Sequence, residues 1–371
     1  MDRTFIIGGG LIGLLCAWYL RSSGDRQAHV IDRQLVGREL SWAGGGILSP
    51  LYPARYPSAI NDLTRLSADY YGELAKTVNI ESGVDPELQP SGIIIVDPDV
   101  NGTESRSNLI RCGQDYSFLT ASQLEGVEPR LRHGVSDQAL YLPSAAQVRN
   151  SRLIRGLRIA LANGGTVIDE RRQVSGFKQS RGSLSAIVTT KGTLPADRCI
   201  VAAGAWSGRL LATTGLDLPI RPIRGQMILI KGPPEYLNHI IVCGYRYLVP
   251  RRDGRILVGS TLEDVGFDKS TTPEARTMLH EFALDLVPGL SAYPVEAHWA
   301  GLRPGSPDSL PFIGEHPAIK GLYICTGHYR NGFALGPATA QMVVDMVLGR
   351  PTRFDPSPFR LDRPIAEDAT Y

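Results

Sequence analysis

Apolar residues in this chain gather in short runs that stop at glycine. The first, Thr4–Ile7, ends at Gly8-Gly9-Gly10 and is followed by a largely apolar stretch from Leu11 to Arg21. A short apolar run bounded by glycine fits a buried strand, and the longer stretch fits a buried helix. A second run, "AHVID", closes on Asp32. The same grammar recurs twice downstream. Cys199–Ala202 reads as a buried strand that opens at Ala203-Gly204 into a helix carrying Trp206. "GLYICTGHYRNG" reads as a strand and a glycine-bracketed turn, after which a helix is predicted over Gly336–Leu348, stopped by Gly349.

Between these units the pattern changes. "SGIIIVD", "GQMILI" and "GRILVGST" predict strands of an antiparallel sheet, and Thr271–Val287 has helical spacing. The 371 residues exceed what one core usually holds, about 250 to 300 residues. The predicted fold class is α/β. A Rossmann-like nucleotide domain comprises residues 1–89, 143–217 and 299–371, and an α+β substrate domain built on the antiparallel sheet is inserted as residues 90–142 and 218–298.

Chemistry enters with the spacing of the first glycines. Gly8-x-Gly10-x-x-Gly13 lies between strand and helix, and Asp32 follows about twenty residues later, the arrangement of a dinucleotide-binding βαβ unit. Gly8 permits the tight turn, Gly10 lets the backbone approach a pyrophosphate, and Gly13 lets helix and strand pack closely. Free N–H groups at the helix start face the phosphates, while Asp32 accepts hydrogen bonds from a ribose. An acid there favours NAD or FAD over NADP, a preference that Arg33 beside it weakens. Gly44-Gly45-Gly46, between Ala43 and Ile47, is either a backbone surface for a flat ring or phosphate, or a flexible loop.

Composition removes other classes. A net charge of +2 leaves no electrostatic footprint for nucleic acid. Cys16, Cys112, Cys199, Cys243 and Cys325 are scattered, mostly in apolar runs, and read as reduced packing residues of a cytoplasmic protein. Neither C-x-x-C nor H-E-x-x-H occurs, so no metal site is expected. Phe5–Leu20 has the length and apolarity of a signal-peptide core. Its consecutive glycines and the lack of a small-x-small cleavage site argue for the nucleotide site instead, with no membrane span.

Taken in order, "IIGGGLIG", "SWAGGGILSPLYP", "IVAAGAWS", "RGQM", "YLVPRRDGRILVGST", "WAGLRPGSPDSLPFIG" and "GHYRNGFALGPAT" resemble, nearly end to end, the D-amino-acid-oxidase-like flavoenzymes. Within them the chain is most similar to the glycine oxidases of bacterial thiamine biosynthesis, and "GLRPG" followed by "GHYRNG" is the most specific pair. The resemblance implies a glutathione-reductase-type FAD domain, FAD rather than NAD, and oxidation of a small amine (glycine, sarcosine or a small D-amino acid) to its imine, with O₂ converted to H₂O₂. It also implies roles by position. Arg303 matches the arginine that binds the substrate carboxylate, Arg330 a second active-site arginine, and Tyr247 a tyrosine over the substrate. For FAD, Leu11 and Ile12 match positions beside the phosphates, Asp32 and Arg33 positions at the ribose, and Leu40, Ser41, Gly45, Gly46 and Ile47 the next contacts. Val174 matches an adenine contact, and His328, Tyr329, Arg330, Asn331, Gly332, Phe333 and Ala334 the turn around the flavin. The strand-glycine-helix unit at Gly204 and Trp206 places one more remote part of the chain on the same long cofactor.

Two positions depart from the pattern. Leu262 stands where a glycine oxidase has a pocket methionine, and Tyr245 where it has histidine, which bears on substrate preference more than on the reaction. Related sarcosine oxidases attach their flavin through a cysteine near "GLRPG"; residues Gly301–Leu310 contain none, so non-covalent FAD is expected. No general base is assigned, because in a hydride-transfer mechanism the protein contributes orientation and electrostatics. Two rivals are a dehydrogenase passing electrons to a quinone, against which the lack of a basic amphipathic helix argues, and a non-catalytic flavoprotein, against which both arginines and Tyr247 argue. Oligomeric state is left open, a homo-oligomer included.

Overall fold

Two large sheets carry the fold in the computed structural model, which describes residues 3–24, 28–97, 109–110 and 115–365. The first has six strands in the order Phe312–Glu315, Leu322–Thr326, Arg198–Val201, Thr4–Ile7, His29–Ile31 and Val167–Asp169. Neighbours run parallel except at the Phe312–Glu315 edge. Thr4–Ile7 has a partner on each side and is buried throughout, which explains why its apolar residues do not alternate with polar ones.

The helix Leu11–Ser22 follows the first strand and packs on a second helix, Gly332–Val347. That second helix begins at Gly332, four residues before the expected Gly336, and Pro337 lies inside it. Proline has no N–H to give to the carbonyl of Phe333 one turn back. Tyr71, on the long helix Ser58–Ser82, donates its hydroxyl to that carbonyl at 2.5 Å. Ser67 on the same helix accepts from the Ala338 N–H at 3.1 Å. A neighbouring helix thus replaces the missing partner and the helix runs through the proline. The helix expected around Trp206 starts as a 3-10 turn, Gly204–Trp206, and continues as Ser207–Leu211.

The second sheet has eight strands in the order Val295–Gly305, Arg221–Lys231, Arg255–Gly259, Arg246–Pro250, Ile240–Cys243, Ile93–Ile95, Gln138–Leu142 and Ser117–Thr120. It is mixed, not purely antiparallel, because Ile240–Cys243 runs parallel to Ile93–Ile95. This seam joins the two inserted segments, which are distant in sequence, so no hairpin dictates their relative direction. Val295–Gly305 crosses the boundary drawn between residues 298 and 299 and pairs with Arg221–Lys231 along its length. The helix Pro273–Leu286 is capped by Thr272, whose side chain accepts from the Ala275 N–H. A further three-stranded sheet, Val174–Ser180, Ser183–Thr189 and Gly192–Pro195, had no apolar run to announce it, since two of its strands are largely exposed.

No helix among the described residues is long and apolar enough to cross a membrane. Cys16, Cys199 and Cys325 are buried free thiols and Cys243 is a half-buried one; Cys112 lies outside the described residues.

Candidate active site

A cavity of about 490 Å³ opens at the C-terminal end of Thr4–Ile7 and reaches the second sheet. Gly8, Gly10, Leu11 and Ile12 line its start. Gly8 has φ +106°, and a Cβ there would lie 2.3 Å from the Ala202 carbonyl oxygen. Gly13 stays outside the cavity; a Cβ on it would fall 1.8 Å from the Gly8 carbonyl oxygen, so its absence lets the helix press onto the turn. Gly10 at the N-cap has no side chain to cap the helix, which leaves first-turn N–H groups beyond Leu11 for a phosphate. Ser41 accepts from the Leu11 N–H at 2.9 Å.

Asp32 accepts from the Gly9 N–H at one carboxylate oxygen and from the Gln34 N–H at the other, both at 2.8 Å. Burial raises its pKa against the opposing effect of these two bonds. Each oxygen retains acceptor capacity for a ribose hydroxyl. Arg33 stacks on Trp206, its guanidinium carbon 3.7 Å from the ring centroid, and pairs with Glu39 at 2.9 Å. Val174, Gly204 and Trp206 line this end together with Gln173 and Thr213.

In the middle, Leu40, Ser41 and the run Gly44, Gly45, Gly46 and Ile47 form the wall. The run is pinned. Arg251, buried, donates to the carbonyl oxygens of Gly45 at 2.7 Å and Val148 at 3.1 Å and to Gln147 Oε1 at 2.7 Å. Burial, with Arg149 adding to it, lowers the Arg251 pKa to about 10. Sequence reasoning did not single out Arg251, because an arginine following a strand carries no local signal of a partner some two hundred residues away.

At the far end Arg303 projects from Val295–Gly305. Its side chain donates to Ser260 Oγ at 2.6 Å and to the Thr261 carbonyl at 3.1 Å. Among the described residues no carboxylate pairs with it, and burial lowers its pKa. Gly225 on the neighbouring strand faces the guanidinium, and a Cβ there would fall 2.2 to 2.4 Å from its atoms. Tyr247 is buried; its ring lies against Gly45 and Gly259, and it is an electrostatic neighbour of Arg303. Arg330 lines the same end and donates to the Tyr245 carbonyl at 3.1 Å.

His328, Tyr329, Asn331, Gly332 and Phe333 also line the cavity, whereas Ala334 is buried behind it. Tyr329 has φ +45°, and its N–H donates to the Pro304 carbonyl at 3.1 Å, tying this turn to the strand of Arg303. Tyr245 and Leu262 are 53% and 37% exposed, and neither lines the cavity; Tyr245 meets the site through its carbonyl. Tyr56, Met227, Leu51 and Ser260 line the Arg303 end; no role was assigned to them from the sequence, although Leu51, Met227 and Ser260 lie within "SWAGGGILSPLYP", "RGQM" and "YLVPRRDGRILVGST". Burial raises the Tyr56 pKa, opposed by Arg330.

Residues 3–346 match the family described as DAO, FAD dependent oxidoreductase. The chain belongs to that family. A glycine oxidase of Pseudomonas putida is 43% identical over 96% of this chain and 97% of its own length. One from Geobacillus kaustophilus is 31% identical over 98% of this chain and 97% of its own. The crystal structure of a glycine oxidase from Geobacillus kaustophilus superposes with a TM-score of 0.90 at 30% identity, covering 98% of this chain and 99% of the other. As an FAD-dependent oxidoreductase the protein needs room for a long nucleotide and a flat ring, and the cavity fits both. Glycines without Cβ atoms border its phosphate end and its middle, and an acid stands where a ribose would lie.

Proposed function

We propose that this FAD-dependent oxidoreductase oxidatively deaminates glycine and similarly small amines, such as sarcosine and small D-amino acids, with O₂ as acceptor. For glycine, the amino acid, water and O₂ give glyoxylate, ammonia and H₂O₂. One observation carries the reading: Arg303 is a buried guanidinium that has neutral oxygens on two of its N–H groups and no carboxylate pair among the described residues. Such a cation is best satisfied by an anion, and its planar fork matches a carboxylate. Tyr247, Tyr56 and Arg330 border the same end and favour a small substrate there.

Leu11 and Ile12 would hold the phosphates of FAD, Asp32 its ribose, Val174 its adenine, and Gly45 to Ile47 with the 328–333 turn its ring system. The chemistry FAD supplies when bound is acceptance of a hydride from the substrate carbon and transfer of the electron pair to O₂. Arg303 fixes the carboxylate, so the angle at which the Cα–H bond is presented is set by the strand on which Arg303 sits. Tyr247 stands beside Arg303 and presses on the Gly45 backbone, coupling substrate position to the wall of the cofactor site.

The division into an FAD domain (residues 1–89, 143–217 and 299–371) and a substrate domain (90–142 and 218–298) belongs to this reading; the separate six-stranded and eight-stranded sheets support it. A reducing, cytoplasmic setting is supported by the free thiols. The test is anaerobic mixing of the holoenzyme with glycine, sarcosine or D-alanine, followed by air, with flavin absorbance and H₂O₂ recorded. Bleaching by glycine and rapid recovery in air with H₂O₂ is the expected result. Recovery that requires a quinone would replace the oxidase with a dehydrogenase, and no bleaching by any of the three would remove the substrate class.

A further inference from the structure

The loop 261–272, between the strand Arg255–Gly259 and the helix Pro273–Leu286, makes contacts that the amine chemistry does not use. Its root is held firmly. Arg224, nearly buried, donates to Glu263 at 2.6 Å, to Asp268 at 2.6 Å and to the Ser270 carbonyl at 3.1 Å. Gln226 donates to Glu263 at 2.9 Å and accepts from the Thr272 N–H at 2.8 Å. So anchored, the loop carries Phe267 onto the nucleotide end of the cavity.

There four side chains form a stacked row. Arg33 lies on Trp206 at 3.7 Å, the Trp206 and Phe267 rings are 5.5 Å apart and tilted by 41°, and Arg209 lies on Phe267 at 3.7 Å. Arg33, Trp206 and Arg209 line the cavity, whereas Phe267 stands behind them. Two residues on, Lys269 pairs with Glu39 at 2.7 Å, and the other oxygen of Glu39 takes Arg33 at 2.9 Å. Glu39 also lines the cavity. The loop therefore reaches the nucleotide end at three points without entering it.

Arg209 is exposed, and no ion pair holds it among the described residues. A long cation left in solvent loses much rotamer freedom when it must order around a ligand. A ring face beneath it orders it beforehand, which tightens binding by lowering that loss. The same ring packs against the indole of Trp206 on which Arg33 lies. We propose that Phe267 is a positioning residue for the cofactor: it fixes Trp206 and Arg209 in the orientation that holds the adenosine half of FAD. This rests on the family's use of FAD and not on the identity of the amine.

The test is release of FAD from the holoenzyme after dilution, followed by flavin fluorescence, in wild type, Phe267→Ala and Phe267→Tyr. Removing the ring should speed release about tenfold, and tyrosine, which keeps the face, should stay within twofold of wild type. At saturating FAD, far-UV circular dichroism and the kcat and KM for glycine should match wild type, which a general structural defect would not allow. Release from Phe267→Ala less than threefold faster than wild type overturns the proposal. So does release from Phe267→Tyr as fast as from Phe267→Ala. Should Phe267→Ala fail to fold, Lys269→Ala takes its place: it cuts an exposed tie of the same loop and should speed release about threefold at low salt, converging on wild type at high salt. Release equal to wild type at low salt overturns the proposal. If glycine proves not to be the substrate, the release measurement keeps its meaning.

Discussion

Arg303 and Arg251 are both buried guanidiniums without a carboxylate pair among the described residues, and they differ in what their N–H groups meet. Arg251 spends its donors on Gln147, Val148 and Gly45, all protein acceptors, so it is a fixture of the wall. Arg303 faces the cavity with donors to spare. Arg303→Ala should therefore lower kcat/KM for glycine about a hundredfold, chiefly through KM, while FAD content stays at wild type; two charge-assisted bonds account for that size. Steady-state kinetics with absorbance of bound flavin checks it, and an unchanged KM would refute the carboxylate role. Gly225→Ala probes the same group from outside the pocket. Its Cβ would meet the guanidinium at 2.2 to 2.4 Å, pushing Arg303 off Ser260 and Thr261, and a misplacement of that order should lower kcat/KM at least about tenfold with FAD retained. At this scale the grouping of Arg303, Arg330 and Tyr247 at one site was legible because the family resemblance carries a role to each of those positions. Gly225 and Arg251 were not, because what they do is visible only once strands remote in sequence lie side by side.

Elements were readable where burial produces an unbroken apolar run and unreadable where a neighbour changes the rules. Thr4–Ile7 is sandwiched and buried throughout, with three consecutive apolar residues, so its place was plain. The start of Gly332–Val347 was misplaced because Pro337 looks like a first-turn residue until Tyr71 and Ser67 are seen beside it. Tyr71→Phe leaves the Phe333 carbonyl without its donor in a buried place and should destabilise the protein by about 1 to 3 kcal/mol in denaturant titration at fixed FAD. The loop 261–272 gives an acid-side prediction. Burial would raise the pKa of Glu263, but hydrogen bonds from Thr261, Arg224 and Gln226 outweigh it and hold the carboxyl below its ordinary 4.5. A depressed folded pKa means that the stabilisation is fully present above the unfolded value and is lost as pH falls through the folded one. Glu263→Gln, uncharged at every pH, should be less stable than wild type near neutrality and lose stability less steeply below pH 4.5. Parallel stability curves for the two proteins across that range would rule this out.

Across the whole molecule, the order of the motifs pointed to one long ligand, since strand-glycine-helix units near residues 8, 204 and 327 suggest a cofactor touched by remote parts of the chain. The order was silent on how the second sheet reaches that ligand. Val295–Gly305 supplies the link: it pairs within the eight-stranded sheet, packs on the Leu40–Ala43 helix, receives the Tyr329 N–H at Pro304 and ends in Arg303 and its neighbours. A Cβ on its Gly301 would lie 2.8 Å from that of Ala43, so the strand and the wall of the FAD site are pressed together. FAD lying between them is a ligand of the native state alone, because the unfolded chain cannot bring these walls together. Its removal should lower the melting temperature, and re-addition should restore it in proportion to the logarithm of FAD concentration, about 2.7 kcal/mol at one hundred times the dissociation constant. The loop 261–272 should become more susceptible to protease in the stripped protein, since three of its contacts are with residues that line the cavity FAD would fill. A stripped protein with an unchanged melting temperature and cleavage pattern would mean that the two sheets hold each other without the cofactor, and that the cavity is fully formed before FAD arrives.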